Sequence, residues 1–329
     1  MEIVCNQGEL NNAIQLVSKA VASRPTHPIL ANVLITADEV TKKVSLTGFD
    51  LNLGIQTSFD ATVKKSGAIT IPSKLLSEIV NKLPNESPVS LIVPEFSDNI
   101  LLKSDRGSFN LKGLVSDDYP KLPFVESGTS LDLNPNLLLK ALKMTLFSSS
   151  NDESKQLLTG VNFKFKKQNL ESAATDGHRL AVVLSNDEDQ DINNLNIESN
   201  NSSVDDFSVT IPTRSLREIE KLVSFKTTDE KIKLFYDKGQ VVFISSNQII
   251  TTRTLEGNYP NYSQLIPDSF SKEFKFETRG LIDSLERIAV LADQQSSVVK
   301  IKFEEDNFAF ISADAQDIGN ANESLPVSF

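Results

Sequence analysis

The stretch KVSLTGFD, residues 43–50, decides the fold because it returns twice along the chain. Residues 170–176 read LESAATD and residues 307–314 read NFAFISAD, each a strand-like run closing on an aspartate. Asp50, Asp176 and Asp314 fall 126 and then 138 residues apart. That period is domain-sized and too long for a solenoid turn. Ahead of each strand lies the same plan of amphipathic helix, loop, strand and hairpin turn. Leu10, Ile14, Val17 and Val21 keep a helical spacing, Leu281, Leu285, Ile288 and Ala292 repeat it, and residues 137–146 form a similar stripe.

A second unit repeats as well. GAITIPSKLLSEIVNKL at residues 67–83 returns as FSVTIPTRSLREIEKLV at residues 207–223, each followed by strands and a Tyr-Pro turn, at Tyr119-Pro120 and Tyr259-Pro260. The period places Leu75, Ile79 and Leu83 on one helix face, and Leu216, Ile219 and Val223 on its counterpart. Ser73 and Thr213, each after a proline, are the expected N-caps at these strand-to-helix junctions. Short alternating runs such as VNFKFK, IKLFY and QVVFIS read as strands with one solvated face. Each half-unit then has one helix and about four strands. A half cannot cover its own apolar face, so two pack into one core, and the fold class is α+β.

Composition bounds the partners. The 329 residues are 39% hydrophobic and 23% charged, ordinary for a globular chain. No apolar run approaches the ~20 residues of a membrane span, and the opening Met1-Glu2-Ile3 reads as a strand. One cysteine, Cys5, excludes an internal disulfide framework and points to the cytoplasm. The net charge of −11 speaks against nucleic acid only on the average. Acids concentrate in residues 186–206, expected as a solvated loop, whereas Lys19, Lys74, Lys140, Lys143, Arg214, Arg217, Lys221 and Arg287 recur on the helices. Local clusters of this kind, not the sum, bind phosphates.

Three strings narrow the reading: AATDGHRLAVV at residues 173–183, SRPTHPILANV at 23–33 and LEGNYPNYSQLIP at 255–267. With the threefold repeat they resemble the bacterial DNA polymerase III β sliding clamp family along the whole chain, TDGHRLA being the most specific string. The resemblance implies repeated DNA-clamp domains, with antiparallel sheets outside and two helices per domain facing a central pore. It divides the chain into residues 1–126, 127–270 and 271–329, the third domain lacking its second half. It implies a non-catalytic, cofactor-free processivity factor. As a head-to-tail homodimer it would encircle double-stranded DNA without reading sequence, tethering the replicative polymerase, clamp loader and repair polymerases through short peptide motifs.

Carried onto this chain, the resemblance assigns a peptide pocket to Leu158, Thr175, Gly177, His178, Arg179, Leu180, Pro260, Gln264 and Leu265. The leucines and the proline would form an apolar slot, with Arg179 and the Thr175 hydroxyl as polar contacts at its edge. Arg24, Lys74, Lys140 and Arg214 are the expected DNA contacts. Phe109 and Leu111 are expected to meet Val290 and Leu291 of the neighbouring subunit. The chain departs from the family at Gln264, where relatives often carry Arg, and at Asp152, whose charge argues against DNA contact by residues 148–154. Two other classes are weighed. An enzyme using Asp176 and His178 lacks any accompanying nucleophile motif, and two histidines make a metal cluster improbable. A monomeric clamp-fold scaffold that binds proteins without encircling DNA is the second alternative.

Overall fold

The computed structural model describes all residues except 96, 126–127, 167–168, 186–205, 225–230, 238, 293–297, 305–306, 316–317 and 329. The expected acidic loop therefore lies, but for Asp206, outside the described residues. The chain forms two compact units, Met1–Pro260 and Asn261–Phe329.

The first unit opens with β1 (Glu2–Asn6), α1 (Gln7–Val17), β2 (Asn32–Asp38), β3 (Lys43–Phe49), β4 (Leu53–Asp60) and β5 (Thr62–Lys65). Next come β6 (Gly67–Pro72), α2 (Ser73–Val80), β7 (Pro88–Ile92), β8 (Asn99–Ser104) and β9 (Gly107–Lys112). The plan then repeats with β10 (Thr129–Leu133), α3 (Pro135–Thr145), β11 (Gly160–Lys166), β12 (Asn169–Thr175) and β13 (Leu180–Ser185). It closes with β14 (Phe207–Pro212), α4 (Thr213–Ser224), β15 (Ile232–Asp237), β16 (Gln240–Ser245) and β17 (Gln248–Arg253).

Three antiparallel sheets result, ordered β5-β1-β7-β8-β9, β10-β15-β16-β17-β4-β3-β2-β6 and β13-β12-β11-β14. The eight-stranded sheet runs through both repeats. Its joint is the β17–β4 ladder, where Ile250 faces Ile55 and Thr252 faces Leu53, continued by the Asn247 side-chain amide donating to the Ser58 carbonyl at 2.6 Å. The helices pack in pairs, α1 with α2 and α3 with α4. Leu10, Ile14 and Val17 of α1 and Leu216 and Ile219 of α4 are fully buried, as their spacing predicts.

The helix starts and one helix face differ from expectation. On α2 the buried face is Leu76 and Val80, continued by Leu83 as expected with Ile79 half-buried against it, while Leu75 is 40% exposed and leaves the stripe. Ser73 does not cap α2 either. Pro72 occupies the cap position, and Ser73 is the first helical residue, its hydroxyl 2.8 Å from that of Ser18 at the end of α1. Thr213 is likewise the first residue of α4, and its buried Oγ1 has no hydrogen-bond partner among the described residues. Pro72 and Pro212 fill the last strand position, which pushes each hydroxyl residue one step into its helix. Side-chain caps occur instead at Asn6 and Asn134, before α1 and α3.

The second unit consists of α5 (Thr278–Ala289) on a three-stranded sheet of β18 (Lys300–Glu304), β19 (Phe308–Ala315) and β20 (Gly319–Pro326). Ile288, Ile311 and Ala313 form its core. Here the repeat departs from expectation, because β19 runs through Asp314, which faces Asn320 on β20. In the first two repeats the strand stops one residue before the aspartate.

Candidate functional site

The turn from β12 to β13 carries the most specific string, and its geometry is set by one carboxylate. Asp176 Oδ1 accepts from the backbone N–H groups of His178 at 2.9 Å and Arg179 at 3.0 Å, and Oδ2 accepts from Arg179 Nε at 3.0 Å. These donors, the His178 amide foremost, hold the carboxyl down to about 2. Gly177 sits at φ +94°, where a side chain would strain the backbone. The Thr175 hydroxyl donates to the Arg179 carbonyl at 2.7 Å and accepts from the Gly177 amide at 3.0 Å. Its donor is thus used inside the turn, which leaves Arg179 as the polar donor at the rim. The Arg179 guanidinium stands 5.8 Å from the ring centroid of exposed Phe147, a cation–π arrangement.

Tyr259 ties this turn to the Tyr-Pro segment, accepting from the Thr175 N–H at 3.0 Å. Leu158 and Leu180 are half-buried and His178 and Pro260 exposed. Gln264 and Leu265 belong to the second unit, on a short helical turn Tyr262–Leu265, both exposed.

The first repeat builds the same turn, a correspondence that sequence reasoning missed. Asp50 Oδ1 accepts from Asn52 N at 3.0 Å and Leu53 N at 2.7 Å. Tyr119, counterpart of Tyr259, donates its hydroxyl to the Thr47 carbonyl at 3.2 Å. The repeated aspartate and tyrosine were visible signals; their joint role was not.

The expected DNA contacts divide. Arg24, Lys74 and Lys140 are exposed, as are Lys143 and Arg217. Arg214 is engaged: Nη1 pairs with Asp50 Oδ2 at 2.6 Å and Nη2 donates to the Lys19 carbonyl at 3.1 Å. It joins the second repeat's helix to the first repeat's turn. Lys221 pairs with Glu218 and Arg287 with Glu323. Phe109 is 37% exposed and Leu111 buried on β9, at the edge of the five-stranded sheet, while Val290 is 76% exposed and Leu291 half-buried.

Nothing at the turn is poised for catalysis. Asp176 spends its lone pairs on backbone amides and an arginine, and a carboxyl held near 2 is a poor base at neutral pH. Burial pushes the Cys5 thiol up to about 12, so it is no nucleophile. No described helix is long and apolar enough to cross a membrane.

Repeated α+β units with antiparallel sheets, their helices paired in the first unit, define the architecture of a clamp fold. Residues 1–123 match the profile of the DNA polymerase III beta subunit, N-terminal domain, and residues 132–261 that of its central domain. The beta sliding clamp of Synechococcus elongatus is 46% identical over 327 residues, covering 99% of this chain and 84% of the relative. The beta sliding clamp of Bacillus subtilis is 30% identical over 99% of this chain and 84% of its own. The crystal structure of the DNA polymerase sliding clamp from Bacillus subtilis superposes with a TM-score of 0.87 at 30% identity, over 100% of this chain and 85% of that one. The chain belongs to the β sliding clamp family, the β subunit of DNA polymerase III. It is a DNA sliding clamp, a non-catalytic processivity factor whose partners are DNA and the polymerase.

Proposed function

We propose that this clamp acts in the cytoplasm as a head-to-tail ring of two copies around duplex DNA, divided into domains at residues 1–126, 127–270 and 271–329. The observation that carries the reading is the pairing of helices in successive repeats with outward basic side chains, on a chain of net charge −11. Arg24, Lys74 and Lys140, exposed in the first and second repeats, contact phosphates through charge alone and leave the protein free to slide. Arg214 acts mainly as a brace between repeats, since Asp50 already answers its charge. Phe109 and Leu111 of one copy meet Val290 and Leu291 of the other, and the exposed members, Phe109 and Val290, supply the apolar area.

The Thr175–Leu180 turn, with Leu158 and Pro260, is the docking wall for short tails of the replicative polymerase, the clamp loader and repair polymerases. Half-buried Leu158 and Leu180 supply apolar area, and Arg179 answers a peptide carboxylate or carbonyl. A tail of the Gln-Leu-x-Leu-Phe kind buries a Leu and a Phe, each contributing roughly 1.5–3 kcal/mol before ordering costs. Fluorescence titration of such a peptide tests this: Leu180→Asp should abolish binding, and undiminished affinity in that variant would remove the turn as the site.

A further inference from the structure

The first repeat carries a groove that the reading above leaves unused. It has a volume of about 680 Å³, and its walls include Leu30, Leu51, Leu114, Val115, Asp118 and Pro120. Its position follows from the repeat. Leu30 is the third residue of the helical turn Pro28–Ala31 ahead of β2, as Leu158 is in Gln156–Thr159 ahead of β11. Leu51 follows the repeat aspartate as Gly177 does. Leu114 bridges Thr70 as Leu255 bridges Thr210, and Pro120 follows Tyr119 as Pro260 follows Tyr259. The groove is thus the first repeat's counterpart of the Thr175–Leu180 site.

Its chemistry differs in two respects. Where the second repeat has glycine, this one holds a leucine at φ +75°, a left-handed conformation that bulky residues avoid. The Asp50 carboxylate fixes that conformation by gripping the two following amides, and Leu51 stays 39% exposed on the groove wall. Backbone strain of this kind clusters at ligand clamps and switch segments. The second difference is charge. The second-repeat turn carries Arg179 and His178, and Lys155 Nζ lies 3.9 Å from where a Gly177 side chain would begin. In the first repeat the wall carries Asp118, with exposed Asp117 beside it; His27 is the other titratable wall residue, and Lys121 does not line the groove.

We infer that this groove is a second peptide-docking site, taking an extended partner segment with apolar side chains next to a Lys or Arg. The apolar wall of Leu51, Leu114 and Val115 receives the Leu or Phe, and Asp118 receives the cation. The inference borrows its geometry from the peptide reading of the second-repeat turn, so the experiment separates the two. Two dye-labelled hexapeptides, a Leu-x-Leu-Phe run preceded by Lys and the same run preceded by Glu, are titrated against the protein carrying Leu180→Asp.

The Lys peptide should still bind in that background, at least tenfold tighter than the Glu peptide. Adding Val115→Asp, at a side chain 63% exposed and free of core packing, should weaken it tenfold or more. Asp118→Lys should invert the preference. Absence of binding in the Leu180→Asp background, or indifference to Val115→Asp, would overturn the inference while leaving the second-repeat site standing. A change of oligomeric state on Val115→Asp by sedimentation would overturn it in favour of a second copy as occupant. Unchanged Glu-peptide affinity between the native chain and Leu180→Asp would count against the second-repeat reading alone.

Discussion

Replacing Tyr259 by Phe removes a single oxygen, the acceptor of the Thr175 N–H at 3.0 Å, and leaves the ring in place. The Thr175 amide stands at the base of the turn whose Asp176, Arg179 and Leu180 form the proposed peptide wall. A hydrogen bond of this kind contributes about 0.5–1.5 kcal/mol net. In a unit of this size each kcal/mol moves Tm by roughly 2–4 °C, so the variant should melt about 1–6 °C lower. If the bond also positions the turn, the same energy appears in binding, and since 1.4 kcal/mol is tenfold, peptide affinity should fall by about two- to tenfold. Tyr119→Phe is the internal control. It removes the Tyr119 hydroxyl's own bond to the Thr47 carbonyl in the first repeat, at a buried site, and should lower Tm without touching second-repeat affinity. Thermal melts and fluorescence-polarisation titrations of both variants decide it. Unchanged affinity in Tyr259→Phe alongside a lowered Tm would show that the tether stabilises the fold without positioning the turn, and the reasoning would fail.

Other outcomes follow from the same geometry. Arg24→Ala with Lys74→Ala should flatten the dependence of log K on log salt for DNA by about two units, and adding Arg214→Ala should change it little because Asp50 already pairs with that side chain; a further full unit from Arg214 would contradict the brace. Val290→Asp, at a side chain 76% exposed, should convert dimers to monomers in sedimentation while each monomer stays folded by circular dichroism, and persistent dimers would rule out that surface. The Asp176 carboxyl is depressed to about 2, so its grip on the turn is fully present above the ordinary carboxylate pKa of about 3.9 and lost as pH falls through 2. The His178 and Arg179 amide NMR signals should therefore titrate near pH 2, and in Asp176→Asn should not titrate there; a midpoint near 3.9 would show the hydrogen bonds to be weak.

Much of this was legible in the residues, and the failures have physical causes. The repeat and the i, i+4 stripes of α1 and α4 revealed the modules because burial imposes a period that side-chain type records. On α2 only Leu75 departs from the expected face, because two adjacent leucines, Leu75 and Leu76, satisfy either phase, and only the packing against α1 chooses. Ser73 and Thr213 looked like caps because a hydroxyl next to a proline fits that role. The proline holds the last strand position, which sequence does not reveal. The string at the Thr175–Leu180 turn was conspicuous, yet its tie to Tyr259 spans 84 residues, and no local pattern encodes such a contact. Arg214 illustrates the same limit: as a helix-face arginine it reads as a phosphate contact, and only the fold sets it against Asp50.

The central claim is topological, and a loading assay on closed DNA tests it most directly. The protein is loaded by clamp loader and ATP onto nicked circular duplex and washed at a salt concentration that strips direct electrostatic binding. Half the sample is then cut once. A clamp that encircles DNA stays on the circle and is lost from the cut molecule by sliding off the ends. Equal retention on circular and linear DNA, or none on either, would contradict the account.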